Sequence, residues 1–182
     1  MSPTTDQVLD LINQVGLEID PTFAVVVLRR LPGKVDVFDD WLCILWRDGA
    51  RWEIRAWACT ADPGLYWLHN PGKVEGTAIL VPGQHLMTLG EHKGQYPCLV
   101  QAEALAVWRD GDRDNALRYG GRIYRDSIGI QIHHAGAFST IVDRWSAGCI
   151  VVAALTDWTK FWKFIQSANR STFPVTLLEY RT

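Results

Sequence analysis

Apolar positions Val8, Leu11, Ile12 and Val15 recur at helical spacing, and Gly16 stands where a helix ends. One short helix over Ser2–Gly16 is therefore expected, within an N-terminal segment of residues 1–20. Beyond it the pattern changes to short β-like apolar runs. Phe23–Leu28 is the first. Trp41–Arg47 and Trp52–Ala58 flank Asp48-Gly49, the turn pair of a hairpin. Tyr66–His69, Thr77–Val81, Cys98–Ala102 and Ala104–Trp108 read as further strands. They are punctuated by Asn70-Pro71-Gly72, Val81-Pro82-Gly83 and Gly120-Gly121. Ile128–His133 is another strand, Trp158–Ala168 an amphipathic helix and Val175–Tyr180 a closing strand. The pattern predicts one α+β domain over residues 1–182, mainly β, with a few short helices.

Composition narrows the function classes. The 182 residues suit a single core, and 48% apolar with 21% charged residues is an ordinary globular balance. A formal net charge of −2 gives no basic surplus for nucleic acid. Met1–Asp20 contains Asp6, Asp10 and Glu18 but no Lys or Arg, unlike a secretory leader. The apolar runs are too short to span a bilayer, so no membrane insertion is expected. Synthesis and folding in a cytoplasm follow as an expectation, with delivery or lysis needed for action elsewhere. Of the four cysteines, Cys43, Cys59 and Cys98 are expected to be free core thiols, and no C-x-x-C pair suggests zinc. Among the nine tryptophans, Trp46, Trp57 and Trp162 are expected in the core.

The chemistry concentrates in two segments. In Gly129-Ile130-Gln131-Ile132-His133-His134-Ala135-Gly136, strand alternation puts Ile130 and Ile132 on one face and Gln131 and His133 on the other. His134 then points opposite to His133. In Trp145-Ser146-Ala147-Gly148-Cys149-Ile150, small residues lead into a cysteine. They leave room for a carbonyl to approach the sulfur and let backbone N–H groups converge as an oxyanion hole. A free thiol has a pKa of about 8.5, so it needs a neighbouring imidazole to act as a nucleophile at neutral pH. On these residues alone, a buried thiol with a satisfied strand histidine stands level with a Cys–His catalytic pair.

These segments resemble the catalytic signature of the YkuD-type L,D-transpeptidase family, a strand ending in Ile-His followed by Ser-x-Gly-Cys. Ile132-His133 and Ser146-Ala147-Gly148-Cys149 match it. They are more similar to a divergent, mostly phage-borne branch carrying Ile-x-Ile-His and Trp-Ser-Ala-Gly-Cys. Asp36–Asp40, Thr60–Gly64 and Gly76–Gln84 resemble that branch too, so the likeness runs from about residue 36 to residue 164. It implies a β-rich L,D-transpeptidase-like catalytic domain and a cysteine acyl-enzyme on peptidoglycan stem peptides. It further implies Cys149 as nucleophile, His133 as base, the His134 carbonyl as orienter of that imidazole, and Gly148 and Cys149 N–H groups as oxyanion donors. Ser146, Arg144 and Trp145 are the expected substrate contacts. No cofactor is implied.

Two departures bear on the reaction. The family usually has His where this chain has Ala147, and an Arg shortly after the Cys, where this chain has Ile150-Val151. Arg144 and Arg125 are the candidate replacements. Asp110, Asp112 and Asp114 start like a calcium loop, but Asn115 and Gly121 stand where Gly and Glu belong. His85 and His92 lack partners at zinc spacing, and no metal is expected. The expectation is a cysteine peptidase or amidase, of endolysin or effector type, that hydrolyses more readily than it cross-links. The alternatives are an L,D-transpeptidase and a non-catalytic wall-binding or phage structural module.

Overall fold

A computed structural model describes residues 2–181. Helix α1 spans Thr5–Gln14. Thr4 caps it, its hydroxyl accepting from the Gln7 N–H at 3.3 Å while the Gln7 carboxamide accepts from the Thr4 N–H at 2.9 Å. Gly16, at φ +66°, carries the chain out of it.

Eight strands close into a barrel. They are β1 (Phe23–Leu31), β2 (Asp40–Asp48), β3 (Arg51–Thr60), β5 (Gly83–His92), β6 (Tyr96–Gln101), β9 (Gln131–His134), β10 (Ile150–Val152) and β11 (Thr172–Arg181). Their order around the barrel is β1-β11-β5-β6-β9-β10-β3-β2. The β1–β11 and β9–β10 pairs are parallel and the remaining pairs antiparallel. A second antiparallel sheet holds β4 (Thr77–Leu80), β7 (Leu105–Asp110) and β8 (Tyr124–Asp126). Two more helices, α2 (Leu65–His69) and α3 (Leu155–Ser167), complete the chain.

All eight barrel strands feed one core, among them Val25, Ile44, Cys59, Met87, Leu99, Ile132, Ile150 and Val175. Helix α3 adds Trp158, Phe161 and Ile165. Each fully buried side chain of this size contributes about 1.5–3 kcal/mol. The outer face of β1 is buried as well, since Ala24, Val26 and Leu28 lie under Val8 and Ile12 of α1. Burial on both faces explains why Phe23–Leu28 is continuously apolar instead of alternating.

The mainly β α+β architecture holds, with four corrections. Tyr66–His69 is a single helical turn, not a strand: Gly64 caps its start and only Leu68 is fully buried. Strand β5 was not expected, because only His85 and Met87 face inward from it. Strand β8 is three residues long, too short to show a pattern. The β2–β3 loop is Gly49-Ala50, one residue beyond the expected pair, because Asp48 and Arg51 still pair across it. Trp57 is buried in the core, and Trp46 and Trp162 pack against it partly exposed. Cys43, Cys59 and Cys98 are free and buried. Among the described residues, no helix is long and apolar enough to cross a membrane.

Candidate active site

Parallel pairing of β9 and β10 sets the site. Ile150 lies opposite Ile132 and Val151 opposite His133. Ile150, Val152 and Ile132 all point into the core. Alternation therefore puts Cys149, immediately before β10, on the same outer face as Gln131 and His133. In this register Cys149 lies diagonally across from His133 on that face. The thiol is partly exposed, and its Sγ is 3.9 Å from the Gly129 carbonyl.

His133 is held on two sides. Its Nδ1 is 3.1 Å from the His134 carbonyl, which can only accept, so Nδ1 carries the proton and Nε2 is left as the base. Its ring stacks on that of His92, with centroids 4.2 Å apart and planes 25° from parallel. The histidine is 2% exposed. Burial, and secondarily the facing His92, push its pKa down to about 3, while the His134 carbonyl pulls the other way. Burial likewise pushes the Cys149 thiol up to about 11, opposed by the Gln131 backbone N–H and by Lys93. The resting pair is thus a neutral thiol beside a neutral imidazole, not the thiolate–imidazolium form.

The loop before Cys149 is fixed by close backbone contacts. Gly148 adopts φ +117°, and a Cβ there would meet the Ala78 carbonyl at 2.6 Å. A Cβ on Gly64 would meet the Asp143 carbonyl at 2.0 Å, and the Gly64 N–H donates to the Ser146 carbonyl at 2.9 Å. Asp36 accepts from the N–H groups of Leu65 at 3.1 Å and Asp143 at 2.5 Å. The segments around Asp36, Gly64 and Ala78 therefore converge on the cysteine loop.

The other expected site residues fall in distinct places. Ser146 is fully buried, so it sits under the turn and not at the surface a substrate reaches. Its hydroxyl donates to the Cys149 carbonyl at 2.7 Å and accepts from the Gly148 N–H at 3.2 Å. That contact turns the Gly148 donor inward, away from an oxyanion. Arg144 lies over the Tyr66 ring, its Cζ 3.7 Å from the centroid. Trp145 is 41% exposed and rests against Gly136. The His134 ring sits 4.1 Å from that of Tyr96, and its Nδ1 is 3.1 Å from the Gly136 carbonyl. Arg125 is exposed on β8, where its charge acts on His85 instead of Cys149. His85 is buried with Nε2 2.7 Å from the Val81 carbonyl. Asp112 and Asp114 pair with Arg118, and Asp110 accepts from the Arg118 N–H. Among the described residues no three His, Cys, Asp or Glu side chains converge on a common point for a metal.

Comparison with protein-family models, with curated proteins and with solved structures gave no match.

Three features escape sequence reading. His92 and Lys93 come from the end of β5 and the turn after it, and only the barrel register brings them to the pair. The third is an open groove of about 260 Å³ that includes Ala147, two positions before Cys149. Trp67, Ala78, Arg109, Ile128 and Lys73 also line it. Its two cations share Asp126: Lys73 pairs with it at 3.1 Å and Arg109 on its other oxygen.

The depressed His133 pKa has a measurable consequence. Between its unfolded value near 6.5 and its folded value of about 3, the unfolded chain binds a proton that the folded protein excludes. Stability therefore falls as pH drops through this window, by about 1.4 kcal/mol per pH unit from this group. His133→Asn should remove that slope. Urea unfolding at several pH values checks it, and parallel curves for the two proteins would contradict it.

Proposed function

We propose that this chain is a cysteine-dependent enzyme of L,D-transpeptidase type acting on peptidoglycan peptides, as a hydrolase in cell-wall lysis. The observation that carries the reading is the His133 imidazole, fixed through Nδ1 by the His134 carbonyl and sharing a sheet face with Cys149. The sequence resemblance to the phage-borne branch supports the wall peptide as substrate. An endolysin or delivered effector fits that role.

The neutral resting pair implies concerted general-base catalysis. His133 Nε2 takes the thiol proton as Sγ attacks the peptide carbonyl. The imidazolium then gives that proton to the departing amine, leaving a Cys149 thioester. Water attacks the thioester, His133 again takes a proton, and the released thiolate recovers it. The open groove that includes Ala147 supports the reading, since it offers an extended peptide room two positions before Cys149.

Hydrolysis is favoured over transfer because no cation follows Cys149. A donor stem carboxylate loses a charge-assisted contact worth about 1.5–3 kcal/mol where Ile150 and Val151 stand. Both side chains are buried and apolar. Incubation with purified sacculi, with products identified by mass, should release Cys149-dependent fragments. With muropeptides and a large excess of amine acceptor, hydrolysed products should dominate. A dominant yield of amine-exchanged products would make the chain a transpeptidase instead.

The inward-turned Gly148 N–H favours a second reading, a wall-binding module that keeps the fold without the reaction. Selective labelling of Cys149 by an acylating agent, lost in His133→Ala, separates the enzyme from the module.

A further inference from the structure

The groove beside the cysteine loop carries a charge pattern that the Cys149–His133 pair does not use. It holds about 260 Å³ and includes Ala147, two positions before Cys149. Two residues of chain span at most about 7 Å, so the groove begins close to the reacting sulfur. Ile128, one residue before the Gly129 carbonyl that Sγ approaches, also lines it. Every charged side chain among the described residues that line this groove is a cation: Lys73 and Arg109.

Both cations are anchored by one acid. The Arg109 side chain, on β7, is 5% exposed. Its Nη1 donates to the Gly76 carbonyl at 3.2 Å and its Nη2 to Asp126 Oδ2. Lys73 Nζ donates to Asp126 Oδ1 at 3.1 Å, and the lysine side chain is 45% exposed. Hydrogen bonds from Arg109 and then Lys73 hold the Asp126 carboxyl below the usual range, so it is ionised. The cluster, two cations against one carboxylate, therefore keeps a positive charge in excess. A guanidinium has five N–H donors and an ammonium three, so both retain donors for a second anion. The facing wall is apolar and fixed. Trp67 donates through Nε1 to the Arg144 carbonyl at 3.0 Å, and Ala78 lies on β4, an outer strand of its three-stranded sheet.

We propose that Lys73 and Arg109 form a subsite for a free carboxylate of the peptide whose amide Cys149 attacks. The preferred substrate is then an acidic peptide, and its amidated form is discriminated against. A single carboxylate neutralises the one excess charge of the cluster. A neutral carboxamide in the same place forfeits the charge-assisted hydrogen bonds, which are about twice as strong as neutral ones. Arg109 supplies the fixed contact and Lys73 the mobile one. The subsite lies on the Ala147 side of the nucleophile, whereas Ile150 and Val151 follow Cys149 and are buried and apolar. The carboxylate held here is thus a different one from the donor carboxylate that Ile150 and Val151 leave without a partner.

The inference deepens the wall-peptide reading and rests on it for the identity of the peptide. Its test is binding to the Cys149→Ala protein, which cannot turn the ligand over. Two muropeptides that differ only in having free or amidated stem carboxylates are titrated calorimetrically. The free-carboxylate form should bind about tenfold more tightly, the difference between a charge-assisted and a neutral hydrogen bond. In the same background Lys73→Gln should bring the two affinities together, and Lys73→Arg should preserve the gap. Asp126→Asn removes the competing carboxylate and should widen it. Lys73 is exposed, so its variants test the subsite without disturbing the buried Arg109. Equal affinity for the two muropeptides, or a gap that Lys73→Gln leaves intact, overturns the proposal. Should neither muropeptide bind, the N-acetylated tripeptide amides Ala-Glu-Ala and Ala-Gln-Ala are titrated in their place. A preference for the glutamate peptide that Lys73→Gln abolishes would keep the subsite and count against the wall substrate alone. No preference would overturn the subsite as well.

Discussion

Cys149→Ala should leave a folded protein that releases nothing from purified sacculi. The side chain is partly exposed at the mouth of β10, with its Sγ 3.9 Å from the Gly129 carbonyl and the Gln131 backbone N–H beside it. Removing one sulfur there leaves no buried cavity, so the unfolding midpoint should hardly move. The chemistry has no second nucleophile to fall back on: Cys43, Cys59 and Cys98 are buried, and burial raises each thiol pKa. His133→Ala should lower turnover by about 10²–10⁴-fold, the usual contribution of a positioned base. The double variant should be no slower than Cys149→Ala alone, because the two groups act as a unit. His134→Ala should have a much smaller effect, since the group that orients His133 is the His134 carbonyl and this survives the change. Initial rates of fragment release, with circular dichroism as the folding control, give the comparison. Equal losses from the two histidine variants would show that the wrong ring had been assigned as base.

How much of this could be read from the chain depends on whether the signal is local. The β2–β3 hairpin was legible because both strands and their turn lie within one stretch. The Cys149 loop and His133 strand were legible as a motif because β9 and β10 are near neighbours in sequence and pair directly. Alternation also put Ile132 and His133 on the faces they occupy. Closure of the barrel was not legible. It depends on parallel pairing of β1 with β11, the first and last strands, and nothing in Phe23–Leu31 names that partner. Strand β5 hid behind Val81-Pro82-Gly83, which read as a turn, and behind His85 and His92, which were weighed only as zinc ligands and set aside. Its inward positions are only His85 and Met87, too few to reveal the alternation. Missing β5 meant missing His92 as well, since its place beside His133 follows from β5 pairing with β6 and β6 with β9. Ser146 shows the opposite case: it was expected as a substrate contact, and local pattern cannot tell such a contact from a hydroxyl that ties down a turn.

Breaking the buried ion pair beneath the site should produce the largest loss of stability available to a single substitution outside the core. Arg29 on β1 is fully buried. Its guanidinium donates to the Leu80 carbonyl at 2.8 Å and the Ala61 carbonyl at 2.9 Å. Its Nε faces Asp62 Oδ1 at 3.0 Å, a charge contact without hydrogen-bond alignment. Asp62 Oδ2 accepts from the Tyr119 hydroxyl at 2.8 Å. Asp40 lies nearby, its carboxyl raised well above the usual range by burial and by the charge of Asp62. Arg29 is thus the counter-charge for this acidic pocket. Ala61 and Leu80 belong to the same two segments whose Gly64 and Ala78 press on the cysteine loop, so the pair also braces the site. Asp62→Leu takes the nearest carboxylate from a buried guanidinium, leaving it Glu179 at 3.5 Å, and should cost about 3–5 kcal/mol. Arg29→Met should cost less at low pH than at neutral pH, because the abandoned carboxylates can then take up protons. The double variant Arg29→Met/Asp62→Leu replaces both charges with apolar volume and should recover much of the single-variant loss. Urea unfolding of the four proteins at neutral pH closes the cycle. A double variant as unstable as the sum of its singles would mean that Arg29 acts through its two carbonyl contacts and not through Asp62.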